Sequence, residues 1–310
     1  METPSKRALS GFTRRSAIGR AAAVGAAVSL GRLRAMAAQD ATPPPVQPPF
    51  TMGVVYGEAD GTKLLLDIAQ PTAYVGPRPA VVLIHGGGLM FGSRSDFFGF
   101  QRELADAGYV ACSIEYRLFN PDTRANQWPA QLDDAQRAVR RIRANDAAYG
   151  IDPDWIAVLG HSSGGSLAAF LGNRDTRDDS DAALASFSSR VACVVDIAGA
   201  MDMTKPYPGM PIDALGAAQG ATPQQSALID FSPQTFVDAK TAPFLILHGG
   251  ADDLCPLNQS QRMTETLQTA GVEVILGVFP GLDHFSIADW KVIGPEALAF
   301  LDRHVGASAS

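Results

Sequence analysis

The sequence predicts one α/β domain with a doubly wound, mostly parallel sheet, helices on both faces and a small cap insertion. Short apolar runs alternate with helical patterns from residue 52 onward, which is typical of parallel strands joined by crossover helices. The run AVVLIHGGG (80–88) is almost continuously apolar, as expected for a strand buried on both faces. A chain of 310 residues is long enough to form one large domain.

The individual elements follow from local patterns. Two strands are predicted around an Asp60-Gly61 turn. Leu132, Ala135 and Val139 recur at helical spacing within one of the predicted helices. After the first two strands, the predicted order is the strand AVVLIHGGG, the helix FQRELADAG, the strand YVACSIEYRL, the helix PAQLDDAQRAVRRIRAN, the strand WIAVLG, the helix SLAAFLG, the strands VACVVDIAG and PFLILHG, a helix through 259–270, the strand VEVILGVFP and a helix near 294–304.

Residues 201–235 depart from this alternation. They contain five prolines and many small residues. A stretch of this length between a strand and the next strand predicts a small cap over the carboxyl edge of the sheet. The alternative is a surface excursion without a role.

The first 37 residues differ in composition from the rest of the chain. They combine a twin arginine at Arg14-Arg15, an Ala/Gly/Val-rich stretch and a small-residue cleavage signal at 35–37. This pattern predicts a bacterial twin-arginine export signal on residues 1–37, and therefore a periplasmic or secreted protein. A disordered basic tail or a short amphipathic helix are the alternatives. Residues 38–50 are predicted to be a proline-rich linker, and residues 51–306 the folded domain.

The charge balance limits the possible partners. Without residues 1–37 the chain keeps 18 basic and 31 acidic residues, a net charge of −13. Because an acidic protein repels phosphate backbones, nucleic acid is not an expected partner. No apolar run approaches the roughly 20 residues that a membrane span needs, so no span is expected in the mature form.

A sharp strand-to-helix turn is predicted at GHSSG, residues 160–164. Gly-x-Ser-x-Gly between an apolar strand and a helix is typical of a turn that exposes a nucleophilic serine, because the tight backbone excludes bulky neighbours. Ser162 is the central residue. The backbone N–H of Ser163 lies at the predicted helix start, where the helix dipole favours negative charge. The alternative is a small-residue turn used only for packing.

A second set of backbone donors is predicted upstream, in LIHGGGLMFGS (83–93). Three glycines follow the buried strand directly, and only glycine lets the backbone approach a substrate oxygen so closely. The sequence therefore predicts an oxyanion loop. An ordinary glycine-rich turn or a phosphate loop are the alternatives, although no Gly-Lys-Ser/Thr follows as a Walker loop requires.

A serine nucleophile also needs a base and a group that orients the base. His284 lies in a glycine-containing loop after the last apolar strand, where the base is expected, whereas His248 is interpreted as steadying the end of its own strand. Asp252 is the predicted acid, with Asp253 as the fallback. Asp283 adjoins His284 in sequence, and because adjacent side chains point apart it is a poor candidate.

With these motifs in place, the chain resembles the α/β-hydrolase carboxylesterases, on the branch shared by hormone-sensitive-lipase-like and feruloyl/acetyl xylan esterase-like enzymes. The chain order Ser…Asp…His is that of α/β-hydrolases. The similarity covers about residues 52–305. The matching segments are HGGG with Gly92-Ser93, EYRL (115–118), residues 128–169, PFLILHGGADDLCP (243–256) and GLDHF (281–285).

The resemblance implies a role for each motif residue. Asp252 is favoured over Asp253 because the family places the acid four residues after the His of HG and four before the Pro. Leu89 stands where an aromatic residue is common, and we expect it to reshape the substrate pocket. The implied site consists of Ser162 as nucleophile, Asp252 as acid, His284 as base, and the backbone N–H groups of Gly87, Gly88 and Ser163 as the oxyanion hole.

The function implied by the resemblance is serine-dependent hydrolysis of carboxylic esters through an acyl-enzyme, without a metal or organic cofactor. Expected substrates are short acyl or aryl esters, either small molecules or acetyl and feruloyl groups linked to polysaccharide. A serine peptidase or other acyl hydrolase of the same fold is the alternative, against which the HGGG loop argues. A non-catalytic binding protein on this scaffold is disfavoured because all three triad residues are present.

Overall fold

The computed structural model describes residues 49–72, 76–216 and 224–306. All of them lie in one compact unit, Val46–Ser310. The export signal predicted on residues 1–37 lies outside the described residues, as does nearly all of the linker predicted on residues 38–50. Both stay predictions.

The described residues form alternating strands and helices. The strands are β1 (Phe50–Ala59), β2 (Thr62–Ala69), β3 (Arg78–Ile84), β4 (Val110–Ile114), β5 (Ile151–His161), β6 (Val194–Ile197), β7 (Phe244–Gly249) and β8 (Val274–Phe279). The helices are α1 (Phe98–Asp106), α2 (Ala130–Ala144), α3 (Asp146–Tyr149), α4 (Ser163–Asn173), α5 (Gln225–Asp230), α6 (Asn258–Thr269) and α7 (Trp290–His304). Short 3₁₀ turns lie at Arg94–Phe97, Ala182–Leu184, Ile212–Leu215 and Pro233–Phe236.

The strands form a single sheet in the order β1-β2-β4-β3-β5-β6-β7-β8. β1 and β2 pair antiparallel, β2 pairs antiparallel with β4, and all pairs from β4 to β8 are parallel. In this register Gly160 of β5 lies beside Ile84 of β3 and Asp196 of β6. The carboxyl ends of these strands therefore meet at one edge of the sheet. The predicted doubly wound, mostly parallel sheet is confirmed.

The core lies on both faces of this sheet. Val82 and Ile84 pack into a cluster that contains residues of α2, α4 and α6, whereas Val81 and Leu83 pack into a cluster with residues of α1 and α7. Because successive strand side chains point to opposite faces, a strand covered on both faces needs apolar residues at every position. This explains the unbroken apolar run that the sequence shows in β3. Each such side chain contributes about 1.5–3 kcal/mol by leaving water.

Most predicted elements are present, but several boundaries differ. β5 begins at Ile151 and not at Trp155, β4 already ends at Ile114, and the short helix α3 was not predicted. The last helix also begins earlier than expected. The Asp60-Gly61 turn between β1 and β2 is present, and both residues have positive φ, 49° and 74°. The final helix was expected near residue 294 but begins at Trp290, because the Asp289 side chain accepts a hydrogen bond from the Lys291 N–H and caps the helix. Pro295 lies inside this helix. In the described ranges, no helix combines the length and apolarity that a membrane crossing requires.

The insertion predicted at residues 201–235 is described at 201–216 and 224–235. Its α5 contacts the loop before α2 through Asp230, whose carboxylate accepts from the Trp128 indole N–H at 2.7 Å and from the Arg174 guanidinium at 2.8 Å. The Phe231 ring packs edge-on against Trp128, with the centroids 4.5 Å apart. These contacts attach the insertion to the main body of the fold.

Candidate active site

Ser162 lies in the sharp turn between β5 and α4. Its φ of 56° and ψ of −123° are unusual for a residue with a side chain, and such a conformation costs on the order of 1–3 kcal/mol. The flanking glycines are required by close backbone contacts. A Cβ on Gly164 would lie 2.0 Å from the Ile84 carbonyl oxygen, and one on Gly160 would lie 2.1 Å from the Gly164 carbonyl oxygen. The glycines on either side therefore allow a tight turn that places Ser162 at the end of β5, where it lines the cavity.

The structure brings the three predicted triad residues within hydrogen-bonding distance. His284 Nε2 lies 2.9 Å from Ser162 Oγ, and His284 Nδ1 lies 2.7 Å from Asp252 Oδ2. Because an ionised carboxylate only accepts hydrogen bonds, the Nδ1–H donates to Asp252. In the neutral ring, Nε2 is then free to accept the Ser162 hydroxyl proton. Asp253, the fallback acid, is exposed to solvent.

Asp252 is held by donors on both of its carboxylate oxygens. Oδ1 accepts hydrogen bonds from the backbone N–H groups of Leu254 at 2.9 Å and Cys255 at 2.8 Å. Burial by itself raises the pKa of Asp252, but the contacts with His248 and His284 and the Cys255 N–H outweigh it and hold the pKa well below its ordinary range. Asp252 therefore stays ionised beside His284.

His161 supports the base from its backbone side. Its Nε2 lies 2.8 Å from the His284 carbonyl oxygen, which only accepts, so this nitrogen carries a proton. Burial, together with the nearby His284, lowers the pKa of His161 to about 4. A neutral His161 thus anchors the loop that carries His284, the candidate base. The sequence assigned His161 only to the serine motif, and no local signal indicated this contact.

The predicted oxyanion loop has the backbone conformation that glycine permits. Gly87 and Gly88 have φ values of 115° and 61°, and a Cβ on Gly87 would lie 2.2 Å from the Phe91 carbonyl oxygen. Among the hydrogen bonds of the described residues, none uses the N–H of Gly87 or Gly88. Both glycines line the same cavity as Ser162 and Ser163. Their N–H groups are thus available to a substrate oxygen.

The EYRL segment (115–118) contacts the oxyanion loop through Tyr116. The Tyr116 hydroxyl donates to the His85 carbonyl oxygen at 3.0 Å, and the two rings stack with centroids 4.2 Å apart. The Leu89 N–H in turn lies 3.4 Å from Ser163 Oγ. Arg117 pairs with the buried Asp134 at 2.8 Å and joins α2 to the segment that follows β4. The oxyanion loop is thus held by Tyr116 of the EYRL segment and contacts the serine turn through its own Leu89.

A cavity of about 490 Å³ opens above Ser162. At its mouth, Phe91 and Phe285 are 68% and 71% exposed. Leu89, which is expected to reshape the pocket, does not line it: the residue is buried in the core, and Phe91 lines the cavity. The lining residues are Gly86, Gly87, Gly88, Phe91, Gly92, Asp96, Phe97, Phe100, His161, Ser162, Ser163, Ser166, Ala200, Tyr207, Gly209, Pro211, Phe231, Leu254, Cys255, His284, Phe285 and Ala288.

A further carboxyl group lies buried near the serine turn. Asp196 lies in β6 beside Gly160, and its Oδ1 accepts a hydrogen bond from the Gly199 N–H at 2.9 Å. Its Oδ2 has no hydrogen-bond partner among the described residues. Burial raises the pKa of Asp196 to about 7. No local pattern indicated this residue, because it lies within an apolar strand pattern.

Comparison with known proteins agrees with this architecture. The family described as BD-FAE matches residues 66–267, more than half of the chain. The probable carboxylic ester hydrolase LipM of Mycobacterium tuberculosis (strain ATCC 25618 / H37Rv) is 28% identical over 217 residues, covering 67% of this chain and 49% of LipM. Esterase LipC of the same organism is 29% identical over 274 residues, covering 79% and 62%. The chain thus spans about half to three fifths of the length of these relatives.

A solved structure described as a truncated form of carbohydrate esterase from gut microbiota superposes with a TM-score of 0.71 at 26% identity, covering 84% of this chain and 98% of that one. The family match includes the oxyanion loop, Ser162 and Asp252, whereas His284 lies beyond its end. The fold supplies that residue from the loop after β8. The chain therefore has the α/β-hydrolase fold and belongs to the BD-FAE family.

Proposed function

We propose that this protein hydrolyses carboxylic esters through an acyl-enzyme formed on Ser162. The observation that carries the proposal is the continuous chain of hydrogen bonds from Asp252 through His284 to Ser162, which ends in the cavity. The names of LipM, LipC and the carbohydrate esterase support the same reaction class.

The geometry assigns each group a step. Ser162 Oγ attacks the ester carbonyl carbon while His284 Nε2 takes the hydroxyl proton, and Asp252 stabilises the imidazolium that forms. The N–H groups of Gly87, Gly88 and Ser163 hold the tetrahedral oxyanion. His284 then gives its proton to the leaving alcohol. In the second half, His284 activates a water molecule, which releases the carboxylic acid and restores Ser162.

The cavity wall indicates the substrate class. Apart from the catalytic groups, most of the wall is aromatic or aliphatic, with Phe97, Phe100 and Phe231 inside and Phe91 and Phe285 at the mouth. Such a wall favours uncharged acyl or aryl groups. An anionic group is disfavoured because it would lose its hydration beside apolar side chains and the Asp96 carboxylate. Short acyl and aryl esters, free or linked to polysaccharide, fit this description.

A hydrolysis panel tests the proposal. We expect turnover of aryl esters of increasing acyl length and of acetylated xylan, and none of an aminoacyl amide. Labelling with an organophosphonate followed by peptide mass spectrometry should place the phosphorus on Ser162 and block turnover. Cleavage of the amide alone, or labelling of a different serine, would contradict the assignment.

A further inference from the structure

A second histidine contacts the carboxylate of Asp252. His248, near the end of β7, has its Nε2 atom 3.3 Å from Asp252 Oδ2, the same oxygen that binds His284. On the other side of its ring, His248 Nδ1 lies 2.7 Å from Ser260 Oγ in α6. The chain Ser260–His248–Asp252 therefore repeats the residue types of the chain Ser162–His284–Asp252.

The position of one proton follows from the partners of His248. Its Nε2 lies 2.8 Å from the Cys255 carbonyl oxygen, which only accepts hydrogen bonds. Nε2 must therefore carry a proton, and this N–H faces both the Cys255 carbonyl and Asp252 Oδ2. Ser260 holds the opposite edge of the ring, so the ring orientation is determined on both sides.

Substrate has no access to this second chain. His248 and Ser260 are both 0% exposed, and neither lines the cavity above Ser162. Any effect of His248 on the reaction must therefore pass through Asp252. Its interpretation as a residue that only steadies the end of its strand is incomplete, since its Nε2–H also faces the acid of the triad.

We propose that His248 is a positioning residue for ester hydrolysis: its Nε2–H, held by Ser260 and the Cys255 carbonyl, orients Asp252 Oδ2 and takes part of its negative charge. This inference rests on the proposed function. Oδ2 interacts with two imidazoles, at 2.7 Å and 3.3 Å. Without His248, the full charge of Asp252 would act on His284 and stabilise its protonated form.

The surroundings of Asp252 and His248 contain further titratable groups. They are Asp196 from β6, His161 from the serine turn, Tyr207 from the insertion, Cys255 from the loop after β7 and Asp283 from the loop after β8. A test must therefore change His248 alone and leave these groups in place.

Substitution of His248 in the full chain separates positioning from structural support. In His248→Leu we expect kcat to fall by about tenfold, as for other residues that orient a catalytic group, with KM within about twofold of the wild type. The acid limb of the kcat/KM profile should move to higher pH, because His284 then holds its proton more strongly. His248→Gln places an amide donor near the Nε2 position and should restore most of the turnover and the profile.

His304→Leu is the matched control. His304 lies at the end of α7, contacts Glu273 and Phe300, and does not line the cavity. This variant should leave the pH profile unchanged. A folded His248→Leu variant with the kcat and acid limb of the wild type would overturn the proposal, as would a loss of stability without any change in the profile.

A readout independent of turnover completes the test. The low-field proton resonance of the His284–Asp252 hydrogen bond should move further downfield in His248→Leu, because Oδ2 loses a competing donor. If that variant does not fold, the resonance of the His248 Nε2 proton is measured in the wild type and in Asp252→Asn. An unchanged resonance would overturn the proposal. If the wild type hydrolyses no ester, the proposed function fails while these resonances still test the contact.

Discussion

Two serine–histidine pairs meet at the carboxylate of Asp252, and they differ in their access to substrate. Ser162 stands on a turn with positive φ and faces a cavity, whereas Ser260 lies within α6 and is fully buried. His284 comes from a loop, and His248 from a strand end inside the core. Access to the cavity, and not the hydrogen-bond chain alone, therefore distinguishes the candidate active site from its buried counterpart.

Replacing the two serines separately should give the largest difference. Ser162→Ala is expected to lower kcat by about a million-fold, because the nucleophile is lost. Ser260→Ala should lower kcat by no more than about threefold, since it removes only an indirect support of Asp252. Steady-state kinetics with an aryl ester measure both. Comparable losses of kcat in the two variants would mean that both hydrogen-bond chains, through Ser162 and through Ser260, take part in the chemistry.

The two neighbouring aspartates should differ nearly as strongly. Asp252→Asn is expected to lower kcat by about ten-thousand-fold, because an amide does not hold the required His284 tautomer. Asp253→Asn should behave as the wild type, since Asp253 is exposed and Asp252 alone contacts the imidazoles. Steady-state kinetics with the same aryl ester measure both variants. A large loss of kcat in Asp253→Asn would show that Asp253, and not Asp252, is the acid.

The hydrogen-bond chain that reaches the cavity ends beside Gly87 and Gly88, whose N–H groups have no partner among the described residues and are the proposed oxyanion donors. In Gly87→Ala we expect kcat to fall by about a hundredfold, because the new methyl group displaces the loop from the Phe91 carbonyl. Gly61→Ala is the matched control: Gly61 has a positive φ of 74° in an open turn, with no atom within 4 Å of an added Cβ. It should lower stability slightly and leave kcat unchanged. Equal effects on kcat would point to backbone strain instead of a displaced loop.

The buried Asp196 should affect mainly the free energy of unfolding, and its replacement should change turnover least of all the variants. The pKa of Asp196, about 7, is above its ordinary value of 3.8, so the unfolded chain ionises first as the pH rises. Stability is therefore lost between about pH 4 and pH 7, by at most about 4 kcal/mol. Asp196→Asn should reduce this loss.

Denaturant unfolding of both proteins at pH 5 and pH 8 measures the difference. Asp106→Asn, at an exposed site on α1, is the matched control and should keep the wild-type dependence. An unchanged pH dependence in Asp196→Asn would show that Asp196 is ionised without cost in the folded protein.

The sequence determined the parts of the site that depend on local structure. Alternating apolar and amphipathic segments predicted the parallel sheet. Glycines at 160 and 164 predicted the turn, because their replacement would place a side chain inside neighbouring backbone. The choice of Asp252 over Asp253 came from the resemblance to the esterase family, and Asp252 is the carboxylate that the structure brings to His284.

Tertiary structure decided the contacts between distant residues. His284 and Ser162 are separated by 122 positions, and their 2.9 Å contact depends on the strand register and on the length of the loop after β8. The same packing places His161 on the backbone of the base, His248 on the acid, and Leu89 in the core. No local pattern encodes these contacts, since periodicity specifies which face a residue occupies and only the assembled sheet specifies which residue it meets.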